Sequence, residues 1–426
     1  MARYKPYERY KDSGVEWIGE IPEHWGVSKV KEHWKVIRGR FTHRPRNDPK
    51  LYDGRYPFLQ TGDISTGEKV ITNYTQTLNE LGYAVSREFL ENTIMMSIAA
   101  NIGDVAILGI NACFPDSIVG IIPFDRIPEL YTYYLFTAAK KEFNAIAVTN
   151  TQANLNTQRI SNLFVPVPSS QEQITIAYFL DQKTSEIDGL VADKEKLVSR
   201  LQEYRQAIIS EAVTKGLNPD VKMKDSGVEW IGDIPEHWEM CRLKRVTELV
   251  IQKASNDDLD KPYIGLENIE SWTGKYNTVE YFEDTSANLF SPGMVLFGKL
   301  RPYLAKSIKV DFWGRCSSEL ITLKPNKITS HFLHYLLLTE GFISEVNSST
   351  YGVKMPRASW GFIGNMSMSV PPESEQQAIA DFLDRKTSEI DDLISGIQES
   401  IDQLKFYRQS LISEAVTGKI DVRGVI

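Results

Sequence analysis

The feature that most constrains this chain is a set of three segments that each occur twice. The repeated segments are KDSGVEWIGE at 11–20 with KDSGVEWIGD at 224–233, FLDQKTSEID at 179–188 with FLDRKTSEID at 382–391, and YRQAIISEAVT at 204–214 with YRQSLISEAVT at 407–417. Both copies of the first segment continue into Ile-Pro-Glu-His-Trp. Because the period is about 200 residues, the sequence indicates a duplicated domain and not a solenoid repeat.

Two inserts that differ in length and sequence lie between these shared frames. This pattern predicts one scaffold that holds two units with different tasks. The predicted fold class is α+β, with two mixed α/β domains joined by two long helices. The predicted boundaries are 1–31 for an N-terminal shared segment, 32–165 for the first insert, 166–239 for a central helical region, 240–370 for the second insert, and 371–426 for a C-terminal helical region.

Composition limits the class of protein. With 426 residues and 42% hydrophobic content, the chain can bury at least two cores. Its three cysteines show no CxxC spacing and its six histidines form no ligand cluster, so neither a disulfide framework nor a zinc site is expected. No apolar leader and no stretch near eighteen apolar residues occurs, so we expect a cytoplasmic, soluble protein without a membrane partner.

Charge is segregated along the chain although the net charge is −8. The two inserts are mildly basic, whereas the shared regions that follow them are acidic. This distribution favours inserts that approach phosphates and frames that face solvent or protein partners.

Apolar residues in the frames recur at spacings of three and four, which predicts amphipathic helices. The stripe contains Ile187, Val191, Leu201, Tyr204 and Ile208 in the first copy and Ile390, Ile394, Ile401, Leu404, Tyr407 and Leu411 in the second. The near-3.5 period predicts that the two helices pair as an antiparallel coiled coil about a pseudo-twofold axis. The alternative is that each helix packs on its own insert. Each long helix is predicted to begin near Thr184 or Thr387 and to stop at Gly216 or Gly418. A separate, shorter helix is predicted before each of them.

The inserts are predicted to be mixed α/β. Segments 56–64 and 261–269 are each predicted to be a strand that leads to a turn. Short β-branched and aromatic runs bounded by turn residues predict further strands at 93–99, 105–110 and 118–122, and at 294–297, 308–312 and 320–323. The aromatic runs at 130–136 and 332–338 predict helices.

No catalytic motif is present. The chain lacks the Asn/Asp-Pro-Pro-aromatic motif of amino-methyltransferases, GxxxxGK[ST], GxSxG and HExxH. We therefore expect no intrinsic catalysis and no catalytic residue or metal site.

Basic residues beside aromatics, Gly and Pro are the candidate DNA-binding residues, because arginine can bind a guanine edge or a phosphate with two bonds. They are Arg38, Arg40, Arg44, Arg46, Lys299, Arg301, Lys306 and Lys354, and Asn154 in a polar loop is a candidate for an adenine edge. The alternative is that these residues lie on solvated loops. The repeated Trp17, Trp25, Trp230 and Trp238, with His24 and His237, are interpreted as packing residues.

The repeated opening motif and the repeated FLDxKTSEID helices resemble the specificity (S) subunits of type I restriction-modification systems, over essentially the whole chain. The resemblance implies that each insert is a target recognition domain that reads one half of a split DNA sequence, and that the helices set the gap between the halves. It also implies that the shared helices dock two modification (M) subunits, which bind S-adenosylmethionine and methylate adenine. The resemblance implies further that two restriction subunits, which use ATP and magnesium, join that core.

Two other classes of function remain open on the sequence. A bivalent protein-interaction scaffold would share the duplication without sequence-selective DNA binding, and a self-sufficient nuclease or methyltransferase would show activity as a purified chain. The duplication also predicts that the N-terminal segment packs beside the end of the C-terminal helix.

Overall fold

The chain folds into two compact units that interleave in sequence. The computed structural model describes residues 4–124, 127–149, 153–278, 287–352 and 354–425. The first unit comprises Met1–Asp193 and Ser400–Ile426, and the second comprises Lys194–Glu399. Each long helix therefore contributes its N-terminal part to one unit and its C-terminal part to the other.

The first unit is built on mixed sheets. One sheet has the strand order Trp34–Arg38, Ile118–Pro123, Ile94–Ser97, Val105–Leu108 and Val70–Ile71, and another has the order Gln76–Leu78, Tyr52–Phe58, Ala112–Cys113 and Glu88–Phe89. Antiparallel pairs join Tyr10–Asp12 to Glu20–Pro22, Gly26–Lys29 to Phe164–Val167, and Val148–Thr149 to Ala153–Asn154. Helices cover Val30–His33, Thr61–Ile64, Glu80–Ala84, Glu129–Ala138, Lys140–Ala145 and Thr157–Asn162, and a 3₁₀ turn covers Pro49–Leu51.

The second unit repeats this plan with different lengths. Its sheets have the orders Thr247–Leu249, Leu320–Pro325, Val295–Gly298 and Ser307–Lys309, and Tyr263–Ile264, Gly314–Cys316 and Asn288–Phe290. Antiparallel pairs join Met223–Asp225 to Asp233–Pro235 and Glu239–Arg242 to Ser367–Val370. Helices cover Leu243–Val246, Ser330–Leu337, Glu340–Ser348 and Trp360–Ile363, and 3₁₀ turns cover Asn256–Asp258, Leu266–Asn268 and Pro302–Leu304.

The strands predicted at 93–99, 105–110, 118–122, 294–297, 308–312 and 320–323, and the two predicted helices, are confirmed to within a few residues. Within 56–64 and 261–269 the strands end at Phe58 and Ile264, and the short helix Thr61–Ile64 and the 3₁₀ turn Leu266–Asn268 follow. In each unit the central strand, Ile118–Pro123 or Leu320–Pro325, has four consecutive buried residues at its start, because it lies between two neighbours and is covered on both faces. Short apolar runs bounded by turn residues are typical of such strands, which explains why the sequence located them.

The long helices are continuous, so the prediction of a separate shorter helix before each was wrong. They cover Ser170–Lys215 and Glu373–Val416. Thr184 does not cap a helix but lies buried within one, and its hydroxyl is 2.9 Å from the Tyr134 hydroxyl. Thr387 is likewise buried, with its hydroxyl 3.3 Å from that of Tyr335. Each threonine hydroxyl bonds to a tyrosine of a neighbouring helix and does not cap a helix start. The long helix therefore continues through this position.

Within each unit, the two long helices contact each other and also contact the insert. In the first unit the Arg408 guanidinium donates from Nε and Nη2 to the Asp188 carboxylate at 2.8 and 3.1 Å. In the second, Arg205 Nε donates to Asp391 Oδ1 at 3.0 Å. The same two sequence positions thus form an ion pair in both units.

The apolar stripe predicted for the helices is only partly buried. Ile187, Val191, Ile390, Ile401 and Leu411 are buried, and Leu201, Ile208, Ile394, Leu404 and Tyr407 are half-buried. Tyr204 instead leaves 56% of its surface exposed, while its neighbours Arg205 and Gln206 are buried. The predicted period placed Tyr204 in the buried stripe, but the next residue, the cation Arg205, is buried in its stead.

Trp25 and Trp238 pack the opening segment of each frame against the ends of the long helices, as the sequence predicted. Trp17 instead donates to the Phe164 carbonyl at 3.1 Å, and Trp230 lies against Gly341. Trp25 is buried, its Nε1 donates to Glu172 Oε1 at 3.1 Å, and its ring lies against Gly418. Trp238 likewise donates to Glu375 Oε2 at 3.0 Å and lies against Gly216. Gly216 and Gly418 both have positive φ, which confirms them as helix stops.

The N-terminal segment packs beside the end of the C-terminal helix, as predicted. The amide of Asp421 donates to the Lys5 carbonyl at 2.8 Å, and the Tyr10 hydroxyl donates to the Lys419 carbonyl at 3.2 Å. In the first unit, the N-terminal segment and the residues after the C-terminal helix therefore form a junction. It corresponds to the junction that Gly216 and Trp238 form in the second unit. Among the described residues no helix has the length and apolarity to cross a bilayer.

Glu172 makes this junction sensitive to acid. Burial alone would raise the pKa of Glu172, but hydrogen bonds from His24, Trp25 and Ser169 outweigh it and lower that pKa. A carboxyl whose pKa falls on folding stabilises the fold above its unfolded pKa, and this contribution is lost as pH falls through the lower, folded pKa. We expect Glu172→Gln to flatten the acid limb of the unfolding free energy against pH, measured by urea unfolding from about pH 7 to pH 3. The exposed Glu16→Gln is the control, and an equal effect of both changes would contradict this origin of the slope.

Candidate nucleic-acid interface

In the first unit the predicted arginines lie where the edge strand Trp34–Arg38 ends. Arg38, Arg40, Arg44 and Arg46 are all exposed. Arg38 closes the strand, and the others follow on the loop that leads to the Tyr52–Phe58 strand. The end of this edge strand and the loop that follows it place these side chains near one another. The sequence indicated this only through their close spacing along the chain.

Asp116 gathers three of these arginines. Its carboxylate bonds Arg46 Nη2 and lies 3.8 Å from Arg44 Nη2, and its carbonyl accepts from Arg38 Nε at 2.6 Å. Asp116 occupies the turn before the central strand Ile118–Pro123. The carboxylate and the backbone carbonyl of Asp116 thus hold three guanidinium groups close together while these remain partly open to solvent.

Arg40 is held separately from this cluster. Its Nε donates to the Ser86 carbonyl at 2.9 Å, and the Ser86 hydroxyl donates back to the Arg40 carbonyl at 2.9 Å. Arg87 Nη1 also donates to the Arg38 carbonyl at 2.9 Å, so a further arginine that the sequence did not single out joins this surface.

The polar loop of the first insert is described only in part. Residues 150–152 lie outside the described residues, as does the side chain of Asn154, whose backbone belongs to the strand Ala153–Asn154. Asn156 caps the helix Thr157–Asn162 by accepting from the Arg159 amide at 2.9 Å. An asparagine with its carbonyl engaged in this way serves the fold.

In the second unit the predicted basic residues divide into two groups. Lys299 lines a groove, and Lys354 is exposed on the loop beside it. Arg301 is exposed and has φ 51° at the start of a 3₁₀ turn, with its amide donating to the Pro356 carbonyl at 2.8 Å. Lys306 instead turns to the Leu266 carbonyl at 2.6 Å, and burial lowers its pKa against the opposing effect of Glu267.

The strongest pair in this groove was missed by the sequence analysis. Arg357 donates from Nε and Nη2 to the two carboxylate oxygens of Glu319, each at 3.1 Å. Glu319 lies in the turn before the central strand Leu320–Pro325, the place that Asp116 occupies in the first unit. Glu319 is 38 positions from Arg357 in the sequence, so only the fold brings the pair together.

The groove around this pair has a volume of about 380 Å³. Its lining includes Lys253, Asn288, Lys299, Tyr351, Arg357 and Trp360. Basic, amide and aromatic groups in one concave surface are the types that contact phosphates, base edges and base faces. Within the described residues no cluster of three or more His, Cys, Asp or Glu has the geometry of a metal site.

A family model and known proteins match this chain in sequence. The family model described as the type I restriction modification DNA specificity domain matches residues 22–197 and 235–403. The specificity subunit of type I restriction enzyme EcoDI from Escherichia coli is 23% identical, over 94% of this chain and 90% of that protein. The MjaVIII specificity subunit from Methanocaldococcus jannaschii is also 23% identical, over 95% of each chain.

Solved structures share the fold. A chain from a structure that describes complex assembly and conformational transition of a type I R-M system aligns with a TM-score of 0.71 at 14% identity, over 95% of this chain and 99% of that one. The HsdS subunit from Thermoanaerobacter tengcongensis aligns with a TM-score of 0.50 at 14% identity, over 94% and 98%. Since the family model matches both halves of the duplication and more than half of the chain, this protein belongs to the family of type I restriction-modification DNA specificity domains.

Proposed function

We propose that this chain is the noncatalytic DNA-specificity subunit of a type I restriction-modification complex. Each insert is a target recognition domain that reads one half of a bipartite target. The observation that carries the proposal is that the same fold bears two different basic surfaces at equivalent places, one around Asp116 and one around Glu319. A shared frame with unlike recognition surfaces suits a target with two unlike halves.

The long helices are proposed to set the gap between the half-sites by pairing as an antiparallel coiled coil with pseudo-twofold symmetry. In support, the Asp188–Arg408 and Asp391–Arg205 pairs join the same two sequence positions in each unit. Half-sites read from one face of a duplex lie about one helical turn apart, roughly 34 Å. Continuous helices of 46 and 44 residues resist bending at this scale, so a fixed gap is expected.

The partners proposed are double-stranded DNA, two modification subunits docked on the shared helices, and two restriction subunits joined to that core in the cytoplasm. S-adenosylmethionine belongs to the modification subunits, and ATP and magnesium to the restriction subunits. This assignment is supported by the subunit names of the relatives and by the absence of a catalytic motif in this sequence.

Exchange of one insert tests this proposal. Replacement of residues 32–165 by the corresponding insert of another specificity subunit is expected to change one half of the methylated motif and leave the other half unchanged, because each unit has its own recognition surface. The measurement is methylome sequencing of the host with the native gene, the exchanged gene, and no gene. The reciprocal exchange of 240–370 is the matched control.

The second candidate, a bivalent protein-interaction scaffold, predicts a different result. A methylome that is unchanged by deletion of the gene, with partners still captured by the chain, would favour the scaffold. The acidic frames alone would support such a role, but the clustered arginines at Asp116 favour a polyanionic ligand.

A further inference from the structure

We propose that Arg357 reads a guanine in the half-site bound by the second unit, with Glu319 as its positioning residue. This inference rests on the proposed function and deepens it, because it assigns one base to one side chain. It concerns a residue whose importance was not evident from the sequence.

The Glu319 pair fixes the orientation of the guanidinium. The carboxylate takes one hydrogen from Nε and one from Nη2, both at 3.1 Å, which is the side-on bidentate arrangement. Two hydrogens on Nη1 and the second hydrogen on Nη2 remain on the opposite edge. Among the described residues no acceptor bonds Nη1, so this edge is a preformed pair of donors.

The backbone around Arg357 is fixed on both sides. Arg357 exchanges two backbone hydrogen bonds with Tyr351, at 3.1 and 3.2 Å. The next amide, that of Ala358, donates to the Lys299 carbonyl at 2.9 Å, and the Lys299 amide donates to the Glu319 carbonyl at 3.0 Å. The arginine, its carboxylate and the nearby lysine are therefore held in one hydrogen-bonded frame, which limits the entropy lost on binding.

The location of Arg357 allows contact with DNA. The side chain lines the groove and is 35% exposed, while that of Glu319 is 24% exposed. A partly exposed ion pair contributes little to folding stability, so stability alone gives little reason for the bidentate geometry. Lys299 on the same groove supplies an additional positive charge for a nearby phosphate.

Guanine is the base that matches these donors. Its major-groove edge carries two adjacent acceptors, N7 and O6, whereas adenine offers N7 beside a donor amino group. A guanidinium edge with donors on Nη1 and Nη2 pairs with both guanine acceptors and repels the adenine amino group. In the first unit Arg46 contacts Asp116 through Nη2 alone, so the same reasoning does not fix the orientation of an arginine there.

The test uses the assembled complex of this chain with its modification subunits. The wild-type motif is first read from the host methylome, and the half belonging to the second unit is identified by exchange of residues 240–370. Binding to duplexes is then measured by competition, with each guanine of that half replaced in turn by adenine or by 7-deazaguanine, which lacks the N7 acceptor.

We expect Arg357→Lys to reduce discrimination at one guanine about 10- to 100-fold, because lysine keeps the charge but loses the fork. The same variant should be insensitive to 7-deazaguanine at that position, whereas the wild type should be weakened by it. Glu319→Gln should relax the same position to a smaller extent. Arg245→Ala, which removes an exposed charge elsewhere in the second unit, should leave the motif unchanged.

The proposal is overturned if Arg357→Lys keeps full discrimination at every guanine, if it weakens all sequences equally, or if the half-site contains no guanine. Arg357→Lys and Glu319→Gln are conservative, so assembly of their complexes is checked by size-exclusion chromatography before binding. Absence of any bipartite motif in the wild-type methylome would overturn the proposed function itself, and that result differs from an intact motif without an Arg357-dependent guanine.

Discussion

Replacement of Asp391 by alanine is expected to lower the unfolding free energy by about 3–5 kcal/mol, because it leaves a buried cation without its partner. The Arg205 side chain is only 5% exposed, and its Nε lies 3.0 Å from Asp391 Oδ1. Lys275 Nζ lies 2.9 Å from the other oxygen of the same carboxylate. In the variant, Arg205 would keep only its hydrogen bond from Nη1 to the Trp272 carbonyl among its polar contacts with the described residues. A neutral carbonyl does not balance the charge of the guanidinium.

The duplication supplies a matched control for this prediction. Asp188 occupies the same position in the first copy, but its side chain is 54% exposed and its partner Arg408 is 24% exposed. Asp188→Ala should therefore cost at most about 1 kcal/mol. Urea unfolding of both variants, with hydrogen exchange of residues 270–275 as a local readout, measures the difference. Equal losses in the two variants would refute the role assigned to burial.

Replacement of Trp25 by alanine is expected to cost about 3–5 kcal/mol, which is the range for removal of a large buried aromatic side chain. Trp25 is 1% exposed and lies between the N-terminal segment, Glu172 and Gly418. Its loss removes the packing that joins the two ends of the chain. We therefore expect local release of the N-terminal strands Tyr10–Asp12 and Glu20–Pro22 in addition to the global loss.

Hydrogen exchange of residues 10–22 and chemical denaturation measure these two effects. Trp25→Phe keeps most of the ring but removes the donor to Glu172, so it should cost less than alanine. Trp17→Ala is the second control, because Trp17 is only half-buried and donates to the Phe164 carbonyl at 3.1 Å. A small effect of Trp25→Ala with unchanged protection of residues 10–22 would contradict the proposed role of this residue.

Much of the fold could be predicted because its signals are local or repeated. Short apolar runs between turn residues located the central strands, and glycines marked the helix ends. The recurrence of Trp25 and Trp238 beside Pro-Glu-His indicated a packing role, which the structure confirms. The helix starts were misplaced because Thr184 has the residue type of a cap, and its real partner, Tyr134, is 50 positions away.

The candidate interface was predicted less completely because its contacts are not local. Arg38, Arg44 and Arg46 were predicted from their close spacing, but Asp116, which contacts all three, is 70 positions from Arg46. Lys306 was grouped with Lys299 on spacing, yet it turns to the Leu266 carbonyl. The direction of a side chain depends on the strand or turn that carries it, which a spacing pattern does not determine.

The sequence by itself determined the duplication, the unlike inserts and the family resemblance, because repeated letters and periodic apolar residues are properties of the chain. Only the tertiary structure decided that Arg205 is buried while Tyr204 is exposed, and that Arg357 lies against Glu319. The physical reason is that burial and ion pairing depend on residues far apart in sequence that packing brings within a few ångströms of each other.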